Sequence, residues 1–214
     1  MLRLICGMFL ALALTTPGLA QETAPLPPLG EGVVRVSLDT SLGTLILDLN
    51  QAKAPITVAN YLRYVDQGRF DGASFYRASK VPNDDTQGLI QGGVQNDPKR
   101  VLRPIAHEPT SRTGLTHSHG AISMGRHAPG TATSDFFIIL GDATYLDADP
   151  TQPGDNLGFA AFGHVVQGMD VAAKILTAPT SPTAGVGVMK GEMLARPVTI
   201  LRARRVSAAS TATP

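Results

Sequence analysis

The stretch from Ser123 to Leu140 restricts the fold more than any other part of the chain. It sets two short apolar runs around a loop rich in Gly, Pro, Ser and Thr, Gly125 to Asp135. The second run, Phe136-Phe137-Ile138-Ile139-Leu140, is aromatic and β-branched and is bounded by turn residues, which reads as a buried strand. Upstream, Ser74-Phe75-Tyr76-Arg77 places one arginine inside an apolar strand-like run. Gly88-Leu89-Ile90-Gln91-Gly92-Gly93 sets a Gln-Gly-Gly behind a Leu-Ile pair.

The rest of the chain uses the same vocabulary. Val33 to Leu38 alternates, with Val34, Val36 and Leu38 on one face, and Thr44 to Leu49 repeats the pattern with Leu45, Leu47 and Leu49; together they predict a β-hairpin. Pro55 opens a helix, where its missing N–H costs little. Val58, Ala59, Leu62 and Val65 continue its apolar face, and Gly68 is its natural stop. Ser74–Ser79, Leu89–Gly92, Gly120–Gly125, Ser134–Leu140, Ala160–Val166 and Pro197–Val206 are the further strands. In the last of these Val198 and Ile200 point inward, with Leu201 a third candidate. Lys80 to Gln87 reads as a polar turn and Met169 to Leu176 as a short amphipathic helix. The 22 glycines and 16 prolines suit a turn-rich fold. Many short strands with two helices and no βαβ alternation predict an all-β barrel.

The N-terminus reads as a targeting segment. Arg3 gives a positive start, Leu4 to Leu14 is an apolar run shorter than the ~20 residues that span a bilayer, and Gly18-Leu19-Ala20 ends in small residues. The expectation is a signal peptide over 1–20, cleaved after Ala20, then a Pro-rich flexible spacer over 21–31, a domain over 32–206 and a disordered tail over 207–214. Cleavage removes Arg3 and no acid, so Lys plus Arg falls from 18 to 17 against 17 acids. A charge near zero argues against nucleic-acid binding by bulk electrostatics. The single cysteine, Cys6, leaves with the signal, so no disulfide framework is expected.

Five pieces occur together in one order: Phe75-Tyr76-Arg77, Leu89-Ile90-Gln91-Gly92-Gly93, Gly120 to Arg126, Thr133-Ser134-Asp135-Phe136-Phe137-Ile138, and Gly158 to Asp170. In these the chain resembles the cyclophilin-type peptidyl-prolyl cis-trans isomerases, above all the periplasmic ones of Gram-negative bacteria. The resemblance runs from about Val33 to about Val206. It implies a closed eight-stranded antiparallel barrel with a helix over each open end, and rotation about X–Pro bonds as the activity.

Such rotation is slow because the amide C–N bond is partly double, with a barrier of about 18–20 kcal/mol. In the twisted amide the proline nitrogen becomes pyramidal and gains a lone pair. One fixed donor aimed at that nitrogen, an apolar slot for the ring and partners for the flanking carbonyls suffice. No metal or organic cofactor is expected. The resemblance makes Arg77 the donor, a role that suits a guanidinium that is always charged and rigidly forked; otherwise it is an arginine snorkelling from a strand. Gln91 takes the place of the glutamine that braces it. Phe75 belongs to the same motif and is counted with the substrate-binding residues. Leu89, Phe137 and Leu146 match the lining of the proline pocket, Tyr145 an aromatic at its rim, and Gly125 and Arg126 the segment that binds the residue before proline. Plain core packing is the other reading for Phe137 and Leu146.

Three departures from the family pattern stand out. Asp135 replaces a glutamine, Phe159 replaces the histidine of eukaryotic members, and Gly88 replaces a phenylalanine of the pocket wall. Asp135 and Phe159 are still counted with the substrate-binding residues. A carboxylate only accepts hydrogen bonds, so Asp135 is expected to pair with Arg77, either competing for it and lowering activity or orienting it. His117 and His119 share a face if they lie on a strand, but no third ligand is evident and zinc takes three or four. Gly185-x-Gly187-x-x-x-Gly191 misses the dinucleotide fingerprint and reads as a loop. Two functions follow. One is an isomerase acting on Pro-containing segments of unfolded or partly folded exported proteins, monomeric and not held at the membrane once the signal is removed. The other is a barrel that only binds such segments as a chaperone or scaffold, with weak or no turnover.

Overall fold

The computed structural model describes residues 25–206. The signal peptide expected over 1–20, the first part of the spacer and the tail over 207–214 lie outside the described residues. Eight strands form the wall of a closed antiparallel barrel: β1 (Val33–Thr40), β2 (Gly43–Asn50), β3 (Ser74–Val81), β4 (Asp84–Gly93), β5 (Ala121–Met124), β6 (Phe136–Leu140), β7 (Ala160–Gln167) and β8 (Met193–Arg205). Around the barrel they run β1-β2-β7-β5-β6-β4-β3-β8, and the ring closes between β8 and β1. Closure leaves no edge strand. Among the described residues three helices accompany them: α1 (Pro55–Asp66), the single turn α2 (Thr110–Thr113) and α3 (Met169–Leu176). Among the described residues no helix is long and apolar enough to cross a membrane.

Alternation decides what fills the barrel. Val36 and Leu38 of β1, Leu45, Leu47 and Leu49 of β2, and Ile200 and Ala203 of β8 are completely buried. Leu201 is 58% exposed, because the period of two that turns Ile200 inward turns its neighbour out. Tyr61 of α1 packs against Phe70, Phe136 and Phe162 at centroid distances of 4.9–5.3 Å. Val171, Ala172, Ile175 and Leu176 bury the face of α3 in the same core. Each fully buried side chain of this size contributes roughly 1.5–3 kcal/mol relative to exposure.

Lys80 to Gln87 is not a loop. It forms the outer arms of the β3–β4 hairpin, which pair up to Val81 and Asp84. The turn is Pro82-Asn83, where proline presets φ and Asn83 takes φ +67°. Gly88 belongs to this hairpin and is not among the residues lining the two cavities described below. Its φ is +146°, and a Cβ there would overlap the carbonyl oxygen of Ser79. Within residues 25–31 the backbone is irregular, with the Pro27 carbonyl accepting a 2.8 Å bond from Arg35.

Candidate active site

The outer face of β3, β4, β6 and β5 carries one continuous row. Arg77 lies opposite Gln91, Gln91 opposite Phe137, and Phe137 opposite Ser123. Each of these strands sends its other face into the core through Ala78, Ile90, Ile138 and Ile122. A bulge at Tyr76 sets where the row starts. The register shifts between Phe75 and Arg77, so Phe75 points into the barrel and both Tyr76 and Arg77 face out. Phe75 is therefore not a substrate-binding side chain: it is fully buried and packs edge-on against Phe136, 5.6 Å away.

The Arg77 guanidinium is held from two sides. Nη1 donates to Gln91 Oε1 at 2.8 Å. Nε donates to Glu192 Oε2 at 2.8 Å, and Nη2 lies 2.7 Å from the same oxygen. Guanidinium carries five N–H groups, so each terminal nitrogen keeps at least one that these partners do not use. Arg77 lines a cavity of about 350 Å³. Leu89, Phe137, Leu146 and Phe159 form its apolar part, Tyr145 stands at its rim with 78% of its surface exposed, and Gly125 and Arg126 close another side.

Packing behind the cavity fixes that apolar part. Phe137 meets Phe159 edge-on at 5.4 Å and is stacked on the His117 ring at 5.9 Å. The Phe159 N–H donates to the Leu146 carbonyl at 2.9 Å, which joins two walls. Arg126 serves the site through its position rather than a free charge. Its guanidinium lies 5.2 Å over the Phe159 ring, donates from Nε to the Gly158 carbonyl at 2.8 Å and forks onto Asp155 at 2.8 and 2.9 Å. That guanidinium holds the Asp155 carboxyl down at about 2.

Asp135 does not pair with Arg77. Its Oδ2 accepts from the Tyr76 hydroxyl at 2.9 Å, and its Oδ1 accepts from the Gln95 N–H at 3.1 Å and the Ser134 hydroxyl at 2.8 Å. Burial first, and then the Asp135 charge, push the Tyr76 hydroxyl up from its ordinary pKa. Asp135 thus lines a neighbouring cavity of about 330 Å³, with Tyr76, Gln95 and Asn96. Gln91, Gly125, Arg126 and Met189 border both cavities.

His117 and His119 turn to different partners. His117 is completely buried, with Nδ1 2.6 Å from Asp147 and Nε2 2.8 Å from the Ser123 hydroxyl. This Asp-His-Ser alignment is closed to substrate, because Ser123 is also completely buried. His119 Nδ1 accepts from the Gly141 N–H at 2.9 Å. Among the described residues no group of three or more His, Cys, Asp and Glu is placed to hold a metal ion.

Sequence reasoning passes over Glu192, Ser79, Val188 and Met189. The last two reach the cavity from a short 3-10 turn, Gly187–Met189, within the glycine-rich loop before β8. The only sequence signal for it is an acid placed directly ahead of the last strand.

Comparison with known proteins gives a consistent result. Residues 34–205 match the family model described as cyclophilin type peptidyl-prolyl cis-trans isomerase/CLD. A peptidyl-prolyl cis-trans isomerase of Acinetobacter baylyi is 37% identical over 149 residues, covering 68% of this chain and 73% of the relative. Peptidyl-prolyl cis-trans isomerase A of Dickeya dadantii is 35% identical over 178 residues, covering 81% and 83%. Among solved structures, a cyclophilin type peptidyl-prolyl cis-trans isomerase of Cryptosporidium parvum superposes with a TM-score of 0.65 at 20% identity, covering 82% of this chain and 98% of that one. That likeness concerns the fold.

Proposed function

Since the chain belongs to the cyclophilin-type peptidyl-prolyl cis-trans isomerases, which act on proline-containing peptides, we propose that it isomerises X–Pro bonds in unfolded or partly folded exported proteins. The proline ring enters the apolar end of the 350 Å³ cavity, against Phe137, Leu89, Leu146 and Phe159. The residue before proline lies along Gly125 and Arg126. Arg77 donates an N–H to the proline nitrogen as the amide twists and its lone pair appears. This contact is strong only in the twisted state, which is what accelerates rotation. No covalent bond forms or breaks.

The observation that carries this reading is the Arg77 guanidinium braced by Gln91 on the wall of an apolar cavity. The same observation favours turnover over mere binding of Pro-containing segments. Kinetics on a Pro peptide test it. Arg77→Ala should lower kcat/KM on the order of a hundredfold or more, about 2.7 kcal/mol in the barrier, with circular dichroism unchanged. Arg77→Lys should recover little, because an ammonium lacks the planar fork. Wild-type turnover in Arg77→Ala would remove Arg77 from the mechanism.

Residues 1–20 support export to the periplasm, with a monomeric mature chain beginning at Gln21 and no stable membrane association. Intact mass of periplasmic material checks this; a main species still carrying Met1 would overturn it.

A further inference from the structure

Glu192 stands immediately before β8, behind the Gly187–Met189 turn. Its backbone is pinned from both sides. The Glu192 carbonyl accepts from the Ala78 N–H of β3 at 2.9 Å, and the next carbonyl, that of Met193, accepts from the Ser181 N–H at 2.8 Å. Its two carboxylate oxygens divide their partners. Oε1 accepts from the Ser79 hydroxyl at 2.7 Å, while Oε2 takes the Nε edge of Arg77. Ser79 thereby fixes the rotation of the carboxylate, and the carboxylate fixes the plane of the guanidinium.

Two acceptors on different segments, Glu192 in the turn before β8 and Gln91 on β4, hold three nitrogens of one rigid group. With Gln91 alone the guanidinium would pivot about a single bond. The surroundings strengthen the hold: the Arg77 side chain is 16% exposed and that of Glu192 is 27%. A guanidinium so enclosed and left without its anion would turn toward water, away from the cavity. A fixed carboxylate also draws on the positive charge that the donor presents. Orientation outweighs this, because a preorganised donor acts through its aim at the moment charge develops.

We propose that Glu192 is a positioning residue for the isomerisation, holding Arg77 on the side away from Gln91 so that its free N–H groups point at the proline nitrogen. The proposal rests on Arg77 being the donor.

A double-mutant cycle on the full chain separates the two. Glu192→Ala should lower kcat/KM on the order of tenfold, nearly all of it in kcat with KM little changed. In an Arg77→Ala background the same change should add nothing, because its effect passes through the guanidinium. Glu192→Gln should restore most of the loss: its amide oxygen still accepts from Nε, and its NH₂ donates to Ser79. Ser79→Ala, which frees only the outer oxygen, should give an intermediate loss and serves in place of Glu192→Ala if that variant folds poorly. Wild-type kinetics in Glu192→Ala would overturn the proposal. So would an equal fractional loss with and without Arg77, since Glu192 would then act only through the fold of its loop. Glu192→Gln as slow as Glu192→Ala would overturn orientation as the cause. Wild-type turnover in Arg77→Ala instead removes the donor, and the role of Glu192 falls with it.

Discussion

Tyr76 and Arg77 are adjacent in the chain and both face outward, an arrangement that a regular strand forbids and the β3 bulge allows. The bulge sorts the acids of this surface. Tyr76 engages Asp135 over one cavity, and Arg77 engages Glu192 over the other. Asp135 is thus a brace for Tyr76 and for the backbone at Gln95, and it makes no bond to Arg77. Asp135→Asn keeps an oxygen for the Gln95 N–H and the Ser134 hydroxyl, while its new NH₂ faces the Tyr76 oxygen, which can accept. Its kcat/KM on a small Ala-Pro peptide should stay within about twofold of wild type. A rise on the order of tenfold would mean that the Asp135 charge restrains Arg77 through space. Arg77, Gln91 and Phe137 were legible in the sequence because they sit inside short motifs. Glu192 was not, because it meets Arg77 across 115 residues of chain and no local pattern encodes that register.

At the level of elements, the site depends on four strands staying in register and on α1, whose Tyr61 packs edge-on against Phe136 of β6. The start of α1 has no side-chain cap of its own: Ala54 occupies the cap position and Pro55 follows. Glu108, completely buried, supplies what is missing from 51 residues away. Its oxygens accept from the Thr57 N–H and hydroxyl, both at 2.7 Å, and from the Ile56 N–H at 3.2 Å. The positive end of the helix dipole faces this carboxylate. Glu108→Ala strands two backbone donors in the interior and should cost about 2–4 kcal/mol of stability by urea denaturation. Glu108→Gln, which keeps an acceptor, should cost less. A loss under about 0.5 kcal/mol for Glu108→Ala would show that water or another group caps the helix equally well. The barrel strands themselves were readable because one buried face imposes alternation, as in Leu45, Leu47 and Leu49. The outer arms of the β3–β4 hairpin were not: Asp84, Asp85, Thr86 and Gln87 leave the barrel and lose any buried face, so only the Pro82-Asn83 turn marks them.

For the molecule as a whole, the groups with shifted acidity that lie at the joints of the barrel push in one direction. His117, stacked on Phe137 of the 350 Å³ cavity, is held below its ordinary 6.5 by burial, which outweighs the opposing pull of Asp147. His164 on β7 is lowered by burial and then by the His119 charge, against Asp48. Asp66 and Asp71 are lowered by their bonds to Arg205 and Arg204, which tie β8 to the end of α1 and to the chain beyond it. A depressed pKa means that the unfolded chain takes up the proton more readily than the folded one. The stabilisation is then present above the unfolded value and is lost as pH falls through the folded value. Two windows result. From about pH 7 downward the histidines withdraw their share, as protons bind first to the unfolded chain. Below about pH 4 the aspartates do the same as their ion pairs are neutralised. The unfolding free energy in urea should accordingly be nearly flat from pH 7 to 8, decline between pH 7 and 5, and fall more steeply below pH 4. Replacing His117 by Gln should reduce the slope of the first window and leave the second unchanged, with His164 supplying what remains of the first. Stability that rises from pH 7 to pH 5 would mean that His117 folds as the imidazolium, with Asp147 rather than burial setting its charge.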